Sequence, residues 1–239
     1  IDAINEIDAS VTIATLPRWR RVVAGEMVGT VKIIPFATPS IIMDAAVAAA
    51  SGKPLAVAAF KPLRLGVVST LLPGLKAATI TKTLRVLEER IAPAGAKVAA
   101  EVRVPHETKA LGVAIADMAC QCDIVIVFGA SAITDRRDVI PAALEAAGGA
   151  VEHFGMPVDP GNLLLVGSID ANGRNIHVLG APGCARSPKE NGFDWVLYRL
   201  LAGIAVTGAD IKKMGVGGLL MEIVDRGFPR DPSADGEDG

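Results

Sequence analysis

The chain has 239 residues, enough for one large domain with a sizeable core and a smaller companion. It is 51% hydrophobic, yet no stretch of about 18 residues escapes a charge or a Gly/Pro break, so nothing reads as a membrane span. A net charge of −2 leaves no basic footprint for nucleic acid and turns attention to a small ligand. Three cysteines are too few for a disulfide framework, which points to a reducing, cytoplasmic setting. The sequence begins at Ile1 without Met, which reads as a fragment or processed product whose targeting peptide, had it one, is already gone.

In chain order, the alternating run 11–16 and the apolar stretches 21–23 and 27–34 predict a small strand and hairpin unit. Thr38-Pro39-Ser40 starts a helix that carries Ile41, Met43, Ala46 and Val47 and stops at Ser51-Gly52. A short strand over 55–60 leads to Lys61-Pro62, a domain boundary, so residues 1–62 form a small N-terminal α+β unit without a chemical motif. Beyond it the rhythm becomes strand, loop, helix. Strand 65–70 precedes a helix over 78–91 with Leu84, Leu87 and Ile91 on one face, and strand 97–104 precedes a helix over 107–119. The run Ile124-Val125-Ile126-Val127-Phe128, apolar on both faces, leads through a loop to a helix over 139–147. Strands at 151–154, 163–166 and 176–179 and a helix over 193–201 complete the pattern. Such alternation predicts an α/β fold of three layers, a mostly parallel sheet flanked by helices. Residues 215–224 add a hairpin or edge strand and close a domain over 63–224, whereas 225–239, small and acidic, read as a disordered tail or linker.

Ligands of open α/β sheets bind beyond the carboxyl ends of the strands. Three loops there are rich in small residues: Ser69-Thr70-Leu71-Leu72-Pro73-Gly74, the run 129–138, and Gly180-Ala181-Pro182-Gly183-Cys184-Ala185-Arg186-Ser187. Small residues let backbone amides approach an anion, and a helix N-terminus beyond adds donors, so the loops suit a phosphate. None carries a Gly-x-Gly-x-x-Gly or Walker pattern, and singly each also fits a tight turn. Asp135 and Asp138, three apart beside the central loop, suit oxygen ligation of Mg²⁺, and Asp138 fits a helix N-cap equally well. Arg136 and Arg137 offer guanidinium forks to a phosphate, against the plain alternative of solvated loop charge. Ser131 and Ser187 offer hydroxyls, or cap local turns. The pair Cys120-x-Cys122 lacks a nearby histidine to complete a zinc set, and Cys184 reads as small-residue packing. His106, His153 and His177 read as structural histidines, and Trp195 and Tyr198 as core or subunit contacts.

The order of three blocks carries more weight than any one. Val127-Phe128-Gly129-Ala130-Ser131-Ala132 runs through Asp135 and Arg137-Asp138 to Pro141-Ala142-Ala143-Leu144. Gly148-Gly149 then leads to Phe154-Gly155-Met156-Pro157-Val158-Asp159-Pro160-Gly161-Asn162, and Leu179-Gly180-Ala181-Pro182-Gly183 follows. This order, over residues 63–203, resembles the molybdopterin-binding domain shared by molybdopterin adenylyltransferases, molybdopterin molybdotransferases and gephyrin-like proteins.

The resemblance implies a ligand, molybdopterin or the molybdenum cofactor, whose terminal phosphate lies among Ser69, Thr70, Gly129, Ala130, Ser131, Arg137, Pro160, Gly161, Asn162, Pro182, Gly183 and Ser187. It implies backbone amides of Gly129, Ala130 and Gly183 on the phosphate, and Asp135 and Asp138 as catalytic acids and Mg²⁺ ligands. Adenylyl transfer or metal insertion is the implied chemistry, in a homo-oligomer. Three departures bear on it: Gly129-Ala130-Ser131 stands for Gly-Gly-Thr, Asn162 for a lysine after Pro-Gly, and Ser69-Thr70-Leu71-Leu72-Pro73 for Ser-Thr-Gly-Asp-Glu. Losing the lysine removes a cation from the phosphate, which Lys76 or Lys82 is placed to replace. Catalysis is therefore open, and a cofactor carrier for a fused or separate nucleotidyltransferase is the second reading. A nucleotide-handling hydrolase, resembling competence/damage-inducible proteins of the same fold, is the third.

Overall fold

The structure, a computed structural model, describes residues 1–220, and the chain divides between Ala59 and Phe60 into two units. The first contains α1 (Asp2–Asn5), the antiparallel strands β1 (Val11–Thr15) and β2 (Gly29–Ile33), and α2 (Ser40–Ala50). Asn5 fastens α1 to β1: its amide donates to the Ile13 carbonyl at 2.9 Å and its oxygen accepts the Ile13 N–H at 2.8 Å. Burial in this unit is sparse, resting on Ile4, Val11, Ile13 and Ala46, while Met27, Phe36, Ile41 and Val47 are exposed. Residues 21–23 and 55–60 are not strands. Apolar content suggested them, but a strand also needs a neighbour to satisfy its backbone groups, and neither stretch pairs with one.

The second unit alternates β3 (Arg64–Leu71), α3 (Ala77–Ile91), β4 (Lys97–Pro105), α4 (Thr108–Gln121), β5 (Ile124–Phe128) and α5 (Val139–Ala146). It continues with β6 (Ala150–Phe154), β7 (Leu165–Ala171), β8 (Arg174–Ala181), α6 (Gly192–Leu201) and the short α7 (Gly208–Lys212). Its six strands lie in the order β4-β3-β5-β8-β7-β6. The first four are mutually parallel, and β7 runs against both neighbours. This is an α/β fold with a mixed sheet flanked by helices.

Alternation along β5 shows why it is apolar throughout. Ile124, Ile126 and Phe128 join a core with Leu87 and Ile91 of α3 and Phe193 and Leu197 of α6. Val125 and Val127 point the other way, to Leu111 and Ile115 of α4 and Ile140 and Leu144 of α5. Two cores on opposite faces make three layers, and each fully buried large side chain contributes roughly 1.5–3 kcal/mol. Strands β7 and β8 extend beyond the predicted 163–166 and 176–179, because they form one hairpin around Asn172-Gly173. Both turn residues have positive φ, 57° and 73°, the type I′ geometry whose twist suits a two-residue hairpin. Of the predicted 215–224 element, Leu219 makes an isolated bridge to Asp159; residues 221–224 and the predicted tail 225–239 lie outside the described residues.

From β3 the chain goes to β4 on one side and then to β5 on the other. The order reverses between β3 and β5, and the carboxyl ends of strands at such a reversal are where open α/β sheets take their ligands.

Candidate functional site

Side chains tie the carboxyl ends of β3, β4 and β5 together. Thr70, at the end of β3 and 1% exposed, accepts the Ala130 N–H at 2.7 Å, tying the start of the 129–138 loop to the neighbouring strand. The same Thr70 hydroxyl lies 2.8 Å from Nδ1 of His106, the residue that follows β4. His106 Nε2 lies 3.3 Å from the exposed Ser131 hydroxyl. Three strand ends thus converge on one imidazole. Ser69 and Thr70 are both buried, so they support the loop from beneath, and the Ala130 amide is held by Thr70.

From the other side comes Arg186, in the loop after β8. Its Nη2 donates to the Gly129 carbonyl at 2.8 Å, its Nη1 to the Thr83 hydroxyl of α3 at 3.0 Å, and its guanidinium lies 5.3 Å from the Phe128 ring centre. Burial lowers the Arg186 guanidinium below its usual value, though arginine still keeps its proton. The 182–191 loop is in turn locked by Arg90, whose Nη1 and Nη2 donate to the Ala185 and Ser187 carbonyls, each at 2.8 Å. Arg90 Nε pairs with the Asp194 carboxylate, and both side chains are buried. Burial pushes the Asp194 carboxyl up, while Arg90 and the Asn191 N–H pull it back down. Asn191 and Asp194 also form a capping box at the start of α6.

The Pro160-Gly161 block meets that same helix start. The Gly192 N–H donates to the Pro160 carbonyl at 2.8 Å. Gly161 has φ +136°, and a Cβ there would come within 2.5 Å of the Gly192 nitrogen, so only glycine allows this approach. Asn162 is exposed, with its carbonyl accepting the Met156 N–H. Contacts thus tie these stretches to their neighbours: Gly161 meets Gly192 at the start of α6, Arg186 after β8 holds Gly129, and Thr70 of β3 holds Ala130. Pro182 is buried at the end of β8, Gly183 exposed and Ser187 half-buried.

Asp138 is the N-cap residue of α5, but its side chain does not cap that helix. Its Oδ2 accepts the Thr134 N–H at 2.6 Å, the Asp135 N–H at 2.8 Å and the Thr134 hydroxyl at 3.2 Å. These donors hold its carboxyl below the usual range, and the Arg137 side chain and N–H do the same for Asp135. Arg137 is largely solvent-exposed and pairs with Asp135 at 3.1 Å. Among the described residues no group of three or more His, Cys, Asp or Glu side chains is placed to hold a metal ion. Both carboxylates are engaged within their own loop, Asp138 by the Thr134 and Asp135 N–H groups and Asp135 by Arg137. Burial raises the Cys184 and Cys122 thiols, away from reactive or metal-binding thiolates.

Reading by sequence gave no role here to Arg186, Thr83, Arg90 or Asp194, and took His106 as a structural histidine. Two signals were present: Arg90 interrupts the apolar stripe Val86, Leu87, Ile91 of α3, and Asn191-x-x-Asp194 has capping-box spacing. His106 carried none, because its partners lie 36 and 25 residues away.

Sheet order and layers define an α/β domain with a mixed six-stranded sheet flanked by helices. Residues 66–202 match the model of the family described as "probable molybdopterin binding domain", more than half of the chain, and the chain belongs to that family. No curated protein matches it. Among solved structures it is similar to a molybdopterin biosynthesis MoeA protein from Pyrococcus horikosii, at 20% identity and TM-score 0.41, over 59% of this chain and 34% of that one. The chain thus spans about a third of that protein's length. It is also similar to molybdenum cofactor biosynthesis protein B, at 15% identity and TM-score 0.40, over 61% of this chain and 96% of the other. A molybdenum cofactor biosynthesis protein from Pyrococcus furiosus shows 16% identity and TM-score 0.37, over 86% and 70% of the two chains. At these identities and TM-scores the likenesses add nothing to the family match. Among the described residues no helix is long and apolar enough to cross a membrane.

Proposed function

We propose that the crevice between β3 and β5 binds molybdopterin or the molybdenum cofactor by its terminal phosphate, in the biosynthesis or maturation of that cofactor. The observation that carries this reading is the double bracing of the 129–131 turn, by Thr70 on the Ala130 N–H and by Arg186 on the Gly129 carbonyl. A turn held from both sides keeps its shape before the ligand arrives, so binding spends little on ordering it. Gly129, Ser131, Gly183 and Ser187 surround the phosphate, Arg137 contributes charge at the rim, and Pro160, Gly161, Asn162 and Pro182 shape the wall. Asp135 and Asp138 stand as the acidic pair of the reaction, holding Mg²⁺ together with phosphate oxygens that the ligand brings. A cytoplasmic homo-oligomer is the setting of this reading.

A second reading, a carrier that hands the cofactor to a nucleotidyltransferase, is favoured by one observation: both acids are already engaged within their own loop. Purified protein incubated with molybdopterin, Mg-ATP and molybdate separates the two. Retention with an adenylylated or metal-loaded product supports the enzyme, and retention without turnover supports the carrier. Retention of ATP alone, with none of molybdopterin, overturns both in favour of nucleotide handling.

A further inference from the structure

Ser131, His106 and Thr70 form a hydroxyl–imidazole–hydroxyl line at the crevice, outwardly the arrangement that activates a serine nucleophile. Counting hydrogens reverses that reading. The Thr70 oxygen already accepts the Ala130 N–H at 2.7 Å. Thr70 is 1% exposed, so its hydroxyl hydrogen has no water to go to, and leaving it unpaired would cost free energy. Its neighbouring acceptor is His106 Nδ1, 2.8 Å away. If Nδ1 accepts, the neutral ring carries its proton on Nε2, and that N–H faces the Ser131 oxygen at 3.3 Å. Ser131 then receives a hydrogen bond instead of losing a proton. Among the described residues its own hydrogen has the Ala132 carbonyl, at 3.4 Å, the long limit for a hydrogen bond, so it can turn from there or from water to a ligand.

We propose that His106 is a positioning residue: Thr70 fixes its Nε2–H tautomer, and that N–H holds the Ser131 oxygen so that the serine hydroxyl donates to an oxyanion of the ligand, a phosphate monoester. The inference rests on the crevice being the phosphate site and gives the Ser131 hydroxyl one defined role there, that of donor and not nucleophile. The Ala130 amide, through Thr70, belongs to the same relay, so the shape of the turn and the direction of the serine hydroxyl are set together.

Two measurements test it. Nitrogen-15 shifts of the His106 ring in the unliganded full chain read the tautomer directly: Nδ1 of acceptor type and Nε2 of protonated type are expected, with a mixed tautomer in Thr70→Val. A wild-type ring protonated on Nδ1 overturns the inference. Molybdopterin affinity is the second readout. Ser131→Ala and His106→Ala each lose roughly tenfold, the worth of one hydrogen bond to a charged group. The double variant loses no more than either single one, and His106→Gln, which keeps a donor near the Nε2 position, recovers most of the affinity. Additive losses, or a glutamine variant no better than alanine, overturn the inference. If wild-type protein does not bind molybdopterin, the pterin reading fails by itself, and the same variants are compared with inorganic phosphate as the probe. Absence of phosphate binding then overturns this inference as well.

Discussion

Two loops leave adjacent parallel strands at the crevice and are held in different ways. The 182–191 loop is fastened from inside, its Ala185 and Ser187 carbonyls on the buried Arg90, whose charge is met by Asp194. The 129–138 loop is fastened at the surface, by Asp138 on Thr134 and Asp135 and by Asp135 on Arg137, all exposed contacts. Arg186 links the two, reaching from the 182–191 loop to Gly129 at the start of the other, where Thr70 also holds the Ala130 N–H. One loop is fixed from the core, whereas the other is braced at its 129–131 turn and tied over 134–138 by exposed contacts that solvent can replace.

The largest expected effect comes from breaking the fastening to the core. Arg90→Met leaves the Asp194 carboxylate buried without its cation, which costs about 3–5 kcal/mol, measured by urea denaturation. Because burial raises the Asp194 carboxyl and Arg90 opposes that rise, the folded state of this variant holds the Asp194 proton to higher pH than the unfolded chain does. The loss is therefore smallest in acid and grows as pH rises through the raised value. A loss no larger than that of a surface substitution would place the rigidity elsewhere. Cutting the link is next. Arg186→Met removes a charged donor from the Gly129 carbonyl and the Thr83 hydroxyl, at a cost of about 1.5–3 kcal/mol, and weakens molybdopterin retention. An unchanged affinity would mean that the two loops bind independently. The smallest effect is in the surface loop, where Asp138→Asn speeds amide hydrogen exchange at Thr134 and Asp135 and leaves Ala185 and Ser187 unaffected. Acid should imitate it. The Asp135 and Asp138 carboxyls are held low, so their bracing is complete above the usual carboxylate range and is lost as pH falls below about 4.

What sequence conveyed follows from how locally each feature is determined. The uniformly apolar β5 announced a strand covered on both faces, because each of its residues meets one face or the other. The loops were found because their small residues follow strands directly. The β7–β8 hairpin was also legible in Asn172-Gly173, but polar residues along both strands, among them Ser168, Asp170 and Asn175, broke the apolar runs. The bracing was not legible, since Thr70 meets Ala130 across 60 residues and Arg90 meets Asp194 across 104. Asp138 shows a subtler limit. Its place before α5 fitted a cap as well as a metal ligand, yet the backbone at Thr134 and Asp135 turns back toward it and takes the carboxylate instead.

Retention of molybdopterin on the purified chain after gel filtration tests the central claim most directly. The account predicts that wild-type protein retains about one equivalent in stoichiometric binding at the β3–β5 site, and that Arg186→Met retains clearly less. Wild-type protein that emerges free of the pterin, or an Arg186→Met variant that retains as much as wild type, would contradict it.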